Sequence, residues 1–500
     1  MSILIILLLP LIATVLVCLP LKKAWASGVT VVASLATLIL SARVAWLVSA
    51  GNSVTADLSA GWHNWIAVDG LSALILVLIA FVAMTAAIYS VGYMAHGNLK
   101  PGKLRLYYIN YNLFVFSMLA IPVLAEPTLV WIVVELTTLA SALLVSFENT
   151  REALEAAWKY VVLSLMGAGM ALFGFLVLFA AMQASGSAEA YTWDNLIAAA
   201  PLMPPILLQT AFLLILIGLG TKVGLVPMHT WLPDAHSQAP SPVCALLSGI
   251  ETTSILYVIL RMFPVMQAAP GSHAETWALV LGLISVGTAA FLLLQVHDYK
   301  RMFAFSTVEH MGIILTAVGL GASVAGYGAM QQIVSHCVTK SFCFFAAGAV
   351  LLTVETRQIA SIRGLIRQSP LAGAALVFGG LAIAGAPPMA VFLSEFSILK
   401  AGLTQKEYLA TGLLAVFIVI AFFGIMLHVN RMVFGAKEDE ADEHANSETA
   451  SPLHRFTAST LPFSCRLALI VAAVPVLVFG FYIPQPLHDL LTQAAAALTK

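Results

Sequence analysis

Apolar residues in this chain run in long blocks separated by short polar joints, the pattern of helices solvated by lipid rather than water. A bilayer-spanning helix needs about 20 mostly apolar residues. Fourteen blocks meet that requirement, near 2–20, 27–50, 70–93, 106–124, 127–147, 158–182, 206–232, 240–264, 275–296, 301–321, 327–353, 371–403, 408–433 and 464–483. The first has no basic start, and its lysines follow its apolar core, so it reads as a retained span rather than a cleaved signal. Two blocks are overlong and carry Gly and Pro near their centres: "GLGTKVGLVP" in the seventh and "IAGAPPMAVFLSEF" in the twelfth. Broken backbone at membrane depth survives only where protein or a water-filled cavity covers it. Corresponding breaks in two halves point to repeats with a transport site between them. The breaks lie an odd number of spans apart, so spans 4–8 and 9–13 are expected to be repeats of opposite topology.

The expected fold is an all-α polytopic membrane protein. It divides into three N-terminal spans (1–105), a first inverted repeat (106–264), a second (275–433), a polar acidic segment (434–463) and a last span with its tail (464–500). The stretch "GAKEDEADEHANSETASP" within the polar segment reads as a flexible inner loop, and "QPLHDLLTQAAAALTK" as a short surface helix.

Composition agrees. Of 500 residues, 60% are hydrophobic and 9% charged, against about 25% charged in a soluble domain. With the N-terminus outside, sixteen of the 23 Lys and Arg residues fall in inner loops and four (Arg261, Lys400, Lys406, Lys500) on the outer side. That asymmetry supports the spans and the orientation with both termini outside. Charges at loop ends, Arg261 and Lys300 among them, read as solvated groups that set topology. A net charge of −1 gives no basis for nucleic-acid binding. The five cysteines form no CxxC pair, and no GxGxxG or phosphate loop occurs, so no cofactor or metal is expected.

Six charged residues sit near mid-span or beside a break: Glu135, Lys222, Glu251, Glu309, Lys340 and Glu395. Each costs roughly 2.5–3.5 kcal/mol on insertion scales, about 15–20 kcal/mol together before any pairing. Function is the usual reason for such a cost. Lys222 lies within the seventh-span break, where a buried amine can switch between charged and neutral forms. Glu135 has no base on its own helix and is expected to pair with that lysine. His336 and Lys340 are four residues apart on one face, as for a proton relay. Glu309 and His310 are adjacent and so serve different neighbours. Glu251 is flanked by Ser248, Thr252, Thr253 and Ser254, which could support a hydrated path.

The segment "GTKVGLVPMHTWLPDAHSQAPSPVCALLSG" resembles the signature of antiporter-like subunits, which occur in respiratory complex I, multisubunit cation/proton antiporters and membrane-bound [NiFe]-hydrogenases. "KRMFAFSTVEHMGI" and "IAGAPPMAVFLSEFSIL" look most like the hydrogenase-4 component F type. The resemblance implies broken helices 7 and 12. It makes Glu135 and Lys222 the helix 5 and helix 7 groups of the first half-channel, puts His336 and Lys340 in the central or second one, and matches Glu395 to the outward-opening group. His229, Asp234 and His236 of the signature, with Thr253 and His310, are auxiliary candidates. The family often carries Lys or His on helix 8. Here Thr253 stands nearest, with Glu251 just before it, so either Glu251 takes over the relay or water bridges the gap.

The function so implied is a proton-translocating subunit of a hydrogenase-4/formate hydrogenlyase-like or complex I-like oxidoreductase. It carries no redox chemistry of its own and is driven by a soluble redox arm beside other antiporter-like subunits, with Glu135 and Lys222 switching between ion-paired and separated states. The alternatives are an Mrp-type Na⁺/H⁺ antiporter subunit, a haem-binding electron carrier using His310 and His336, and a membrane anchor with a degenerate channel. Carboxylates could bind Na⁺, although the paired lysines favour H⁺.

Overall fold

The computed structural model describes residues 2–20, 23–52, 54–55, 65–97, 99–436 and 461–499. The predicted acidic loop lies outside the described residues. Among the described residues, twenty α-helices follow in order: α1 (Ser2–Cys18), α2 (Lys23–Ser49), α3 (Gly70–His96), α4 (Pro101–Ala120), α5 (Pro127–Val145), α6 (Arg151–Ala184), α7 (Trp193–Ala199), α8 (Pro205–Val223), α9 (Trp231–Gln238), α10 (Ser241–Leu246), α11 (Thr252–Ala268), α12 (Ala274–Leu294), α13 (Tyr299–Gly319), α14 (Ala322–Val354), α15 (Leu365–Gln368), α16 (Pro370–Ile383), α17 (Ala390–Thr404), α18 (Tyr408–Phe434), α19 (Phe463–Phe481) and α20 (Gln485–Ala496). A short antiparallel pair joins Val54–Thr55 to Ala67–Val68. Each of the fourteen predicted blocks coincides with a helix or a broken pair of helices. By length and composition, eleven of the described helical segments can cross a bilayer.

Side chains cap the helix starts. Asp69 accepts from Ser72 N at the head of α3, Glu126 from Thr128 N and Leu129 N at α5, and Asp298 from Lys300 N and Arg301 N at α13. Each cap satisfies backbone donors that the first helical turn leaves free. The helices α3, α10, α11 and α13 are buried in the middle of the bundle, whereas α2, α18 and α19 turn apolar faces outward, with Val32, Ile39, Val419, Phe423 and Ile470 exposed. Small residues set the closest approaches. A Cβ on Gly167 of α6 would lie 2.5 Å from Gly218 O of α8, and one on Gly218 would lie 2.6 Å from Ala171 N. Backbones this near require glycine at the crossing.

Both predicted breaks occur, and both end in the same motif. After α8, Gly224 adopts φ 85° and Leu225 N returns to Gly220 O at 2.8 Å. After α16, Gly385 adopts φ 73° and Ala386 N returns to Leu381 O at 3.0 Å. This six-to-one closure with a left-handed glycine terminates a helix while satisfying its last carbonyls. A third irregularity was not predicted: residues Leu247–Glu251, between α10 and α11, form a π turn. Such turns are rare and frequent at functional sites.

The tail helix α20 is not a free surface helix. It packs on α3 and α14 through Leu490, Leu491 and Ala494, and Gln493 donates to Ser49 O at 3.0 Å. Two charges read as solvated are also withdrawn from solvent, one buried and one partly buried. Lys300 is 1% exposed and donates to Ser237 O in the last turn of α9 and to Ala239 O just past it. Arg261 lies inside α11 and is paired to Asp69. Their burial has a physical reason: each covers backbone or carboxylate acceptors that would otherwise be stranded in the bundle.

Candidate functional site

Lys222 occupies the last turn of α8, where the break brings the chain against α5. It is 2% exposed, and its ammonium donates to Val134 O and, at 2.8 Å, to Thr137 Oγ1. Thr137 in turn donates to Val134 O at 2.7 Å. Lys340, on α14, is held in the same way. It is fully buried and donates to Phe303 O and, at 2.6 Å, to Ser306 Oγ of α13, and Ser306 donates to Phe303 O at 3.1 Å. Each cradle is a carbonyl at position i and a hydroxyl at i+3, neighbours on one helix face.

Neither lysine is in an ion pair. Among the described residues, no carboxylate oxygen lies within 4.0 Å of either ammonium. Glu135 and Lys222 are therefore not in contact here, the separated one of the two arrangements expected of them, although each lies within electrostatic reach of the other. Both carboxylate oxygens of Glu135 are buried without a hydrogen-bond partner, because the Lys222 ammonium is taken up by the neighbouring Val134 carbonyl and the Thr137 hydroxyl. Glu251 comes first and Glu135 second among the acids within electrostatic reach of Lys222.

Glu251 ends the π turn. Its Oε1 accepts from the Tyr160 hydroxyl of α6 at 2.8 Å, and Tyr160 also meets Ser141 Oγ of α5 at 2.8 Å. Thr253 is turned away, donating to Gly249 O at 3.1 Å and accepting from Cys337 Sγ at 3.6 Å. At the head of α11 it is thus Glu251, not Thr253, that faces the hydroxyls of α5 and α6.

The same π turn carries the next link. Ser248 O accepts from His336 Nε2 at 3.0 Å, and Ser248 Oγ meets Thr307 Oγ1 of α13 at 2.6 Å. A carbonyl can only accept, so Nε2 carries the His336 proton, and its Nδ1 is buried without a partner. His310 lies beside it, ring centroids 5.2 Å apart. Its Nε2 donates to Ile383 O at 3.1 Å and its Nδ1 accepts from Gln332 Nε2 at 3.2 Å, so His310, like His336, carries a proton on Nε2. Gln332 Oε1 accepts from Ser394 Oγ on α17. Although His336 and Lys340 share a helix face, they bond to different elements. Glu309 faces Lys340, while adjacent His310 faces the second break, as their differing directions required.

Glu395, 5% exposed, seats its carboxyl on that break: Oε2 lies 2.4 Å from where a Gly385 Cβ would be. Only glycine leaves room for it. Glu309 is the acidic group within its electrostatic reach.

The signature residues after Lys222 anchor the break. Asp234 of α9 binds Lys159 at 3.4 Å and Arg301 at 2.6 Å. His236 Nδ1 donates to Leu232 O at 2.8 Å and its Nε2 is unpartnered, as is His229 Nδ1. Trp231 donates to Thr221 O at 2.7 Å, tying α9 back to the end of α8. These residues touch neither lysine. Reading the sequence missed Thr137, Ser141, Tyr160, Ser306, Gln332 and Ser394, because isolated hydroxyls and amides are common in apolar helices. The one available signal was the spacing of Thr137 and Ser141 on the face that carries Val134.

Residues 125–423 match the family described as NADH:quinone oxidoreductase/Mrp antiporter, TM, and residues 58–105 match that of complex I chain 5 N-terminus. The chain belongs to this antiporter-like family. A hydrogenase-4 component F homolog of Methylacidiphilum infernorum (isolate V4) is 38% identical over 424 residues, covering 83% of this chain and 85% of that protein. NADH-quinone oxidoreductase subunit N of Desulforudis audaxviator (strain MP104C) is 26% identical over 437 residues, 87% of this chain and 85% of its own. The antiporter-like fold covers the whole chain in two solved complexes. One is the archaeal membrane-bound sulfane sulfur reductase (TM-score 0.86, 22% identity, 98% of that chain), the other the Mrp complex of Dietzia sp. DQ12-45-1b (0.85, 21%, 97%). This chain thus shares its fold with chains of those two membrane complexes.

Proposed function

We propose that this antiporter-like subunit translocates protons through a buried polar line from Lys222 to Glu395, coupled to electron transfer in partner subunits of a hydrogenase-4-like or complex I-like oxidoreductase. The observation that supports the reading is the succession of buried polar groups between the two breaks: the Lys222 cradle, Glu251 on the π turn, Ser248 with His336 and Thr307, the Lys340 cradle, Glu309, and Glu395 on the second break. Two buried lysines held by carbonyls and hydroxyls suit proton exchange, since each can lose a proton without leaving a carboxylate stranded. Spans 4–8 and 9–13 act as inverted repeats around this line, the first opening to the lysine- and arginine-rich side and the second beyond Glu395. The termini lie on the outer side of a bacterial cytoplasmic membrane. A soluble redox arm on the inner side supplies the driving pulse, and the coupled groups titrate as a set.

Na⁺/H⁺ exchange is the second reading. It is favoured by the kinship with Na(+)/H(+) antiporter subunit A1 of Staphylococcus aureus (strain JH9), 31% identical over 68% of this chain but spanning only 43% of that protein. The test replaces Lys222 with Ala in the native complex and follows proton uptake by everted vesicles with and without Na⁺. Loss of proton movement in both media supports the reading. Unchanged proton movement overturns it, and a strict Na⁺ requirement in the unsubstituted complex favours exchange.

A further inference from the structure

Tyr160 stands outside every motif of the chain, yet its hydroxyl makes two buried contacts of 2.8 Å, to Glu251 Oε1 and to Ser141 Oγ. Ser141 Oγ lies 2.6 Å from Thr137 O. Three contacts therefore run in line, Glu251–Tyr160–Ser141–Thr137 O, and the Thr137 and Ser141 side chains also lie beside the Glu251 carboxyl. A hydroxyl has one proton to give, and a carbonyl or carboxylate has none. With Glu251 ionised, two protons serve three contacts and one contact is left without a hydrogen. With Glu251 protonated, three protons serve three contacts: the acid donates to Tyr160, Tyr160 to Ser141, and Ser141 to Thr137 O. An unmade hydrogen bond in a buried site is costly, so the two protonation states differ in how the whole line is oriented.

We infer that Tyr160 is a proton-relaying residue and, with Ser141, forms a two-hydroxyl wire joining the Lys222 cradle to Glu251. The inference rests on the translocation reading above and names the step that replaces the missing helix 8 base. The balance is one proton. The Lys222 ammonium gives a proton to Thr137 Oγ1, which it already contacts at 2.8 Å. Thr137 turns its own proton from Val134 O to Ser141, one helical turn away. Ser141 passes its proton to Tyr160, and Tyr160 passes its proton to the Glu251 carboxylate. Lys222 ends neutral, Glu251 ends protonated and donating to Tyr160, and Tyr160 ends donating to Ser141; Ser141 then turns the proton received from Thr137 onto Thr137 O, 2.6 Å away, which completes the fully satisfied arrangement counted above. Tyr160 carries no net charge before or after. The groups of either sign that face this wire are Lys222 and Glu135.

The wire is also tied to the break. The Tyr160 ring packs on Trp231 at 4.6 Å between centroids, and Trp231 donates to Thr221 O, the residue before Lys222. A shift of α9 against α8 moves Trp231, and with it the hydroxyl between Ser141 and Glu251. Trp231 is thus the positioning residue for the wire.

The test uses the full chain in liposomes, with a K⁺/valinomycin potential, an internal pH dye and infrared difference spectra. Tyr160→Phe keeps the ring on Trp231 and removes only the hydroxyl. The expected result is a proton flux reduced roughly ten-fold or more in Tyr160→Phe and Ser141→Ala, as in Glu251→Gln and Lys222→Ala. The protonated-carboxyl band that Glu251→Gln abolishes should move to higher wavenumber in Tyr160→Phe, a signature that loss of packing alone does not give. Flux kept in Tyr160→Phe and Ser141→Ala but lost in Lys222→Ala and Glu251→Gln overturns the wire and leaves the translocation reading standing. Flux kept in all four overturns both. An unmoved carboxyl band overturns the wire by itself. If Tyr160→Phe does not fold, Ser141→Ala decides, since it cuts the line from α5 without touching Trp231.

Discussion

The Arg261–Asp69 pair gives a stability prediction whose size follows from its contacts. Arg261 of α11 donates to Asp69 Oδ2 at 2.5 Å, Asp69 Oδ1 at 2.6 Å, Ser72 Oγ at 2.7 Å and Tyr257 OH at 2.9 Å. Its side chain is 13% exposed and that of Asp69 33%. Removing one partner of a fully buried pair costs about 3–5 kcal/mol. Water reaching Asp69 recovers part of that, so Arg261→Met should cost about 2–3 kcal/mol. Asp69→Asn keeps one acceptor and the other two contacts of Arg261, and should cost about 1–2 kcal/mol. The double substitution should cost less than the sum by about 1–2 kcal/mol. Burial works to raise the Asp69 pKa, but the Arg261 guanidinium outweighs it and holds the carboxyl down at about 2, from 3.8. A depressed pKa means that the pair's contribution is fully present above about pH 4 and is lost as pH falls through about 2. The assay is reversible unfolding in mixed micelles, run as a double-mutant cycle and repeated down that pH range. Single-variant losses that add within about 0.5 kcal/mol, or an unsubstituted protein whose acid sensitivity matches that of Arg261→Met, would refute the coupling.

Three further outcomes are expected. Gly385→Ala meets the Glu395 carboxyl at 2.4 Å and a φ of 73°, so it should lower stability by about 1–2 kcal/mol and proton flux with it, measured on one preparation. Gly167→Val drives a side chain into Gly218 O, 2.5 Å from the first added carbon. It should separate α6 from α8, read as a lower yield of folded protein by size-exclusion chromatography; a normal yield would argue against the tight crossing. Asp234→Asn loses pairs to Lys159 and Arg301 whose side chains are 39% and 45% exposed, so the unfolding free energy should fall by less than about 1 kcal/mol.

The spans and both breaks were legible in the sequence because their causes are local. Twenty apolar residues commit a segment to the bilayer whatever surrounds it, and Gly224 and Gly385 mark the two places where the helix must turn left-handed and stop. The ionisable residues were legible too, since a charge in an apolar block is conspicuous. Their partners were not. Sequence reading joined Lys222 to Glu135 by opposite charge, whereas the lysine is held by Val134 O and Thr137. The π turn that presents Glu251 and Ser248 left no mark in "LLSGIETTS", because an extra residue in a helical turn changes no hydropathy.

The sequence by itself thus determined that this chain spans a membrane, where its helices break, and which buried groups can carry charge. Tertiary structure alone decided which helices meet: α5 against α8 at Lys222, α13 against α14 at Lys340, α3 against α11 at Asp69 and Arg261. The physical reason is that lipid-facing and helix-facing apolar residues are chemically alike. Neighbours are chosen by the fit of small residues such as Gly167 and Gly218, and by polar groups that find partners only once the backbones have closed.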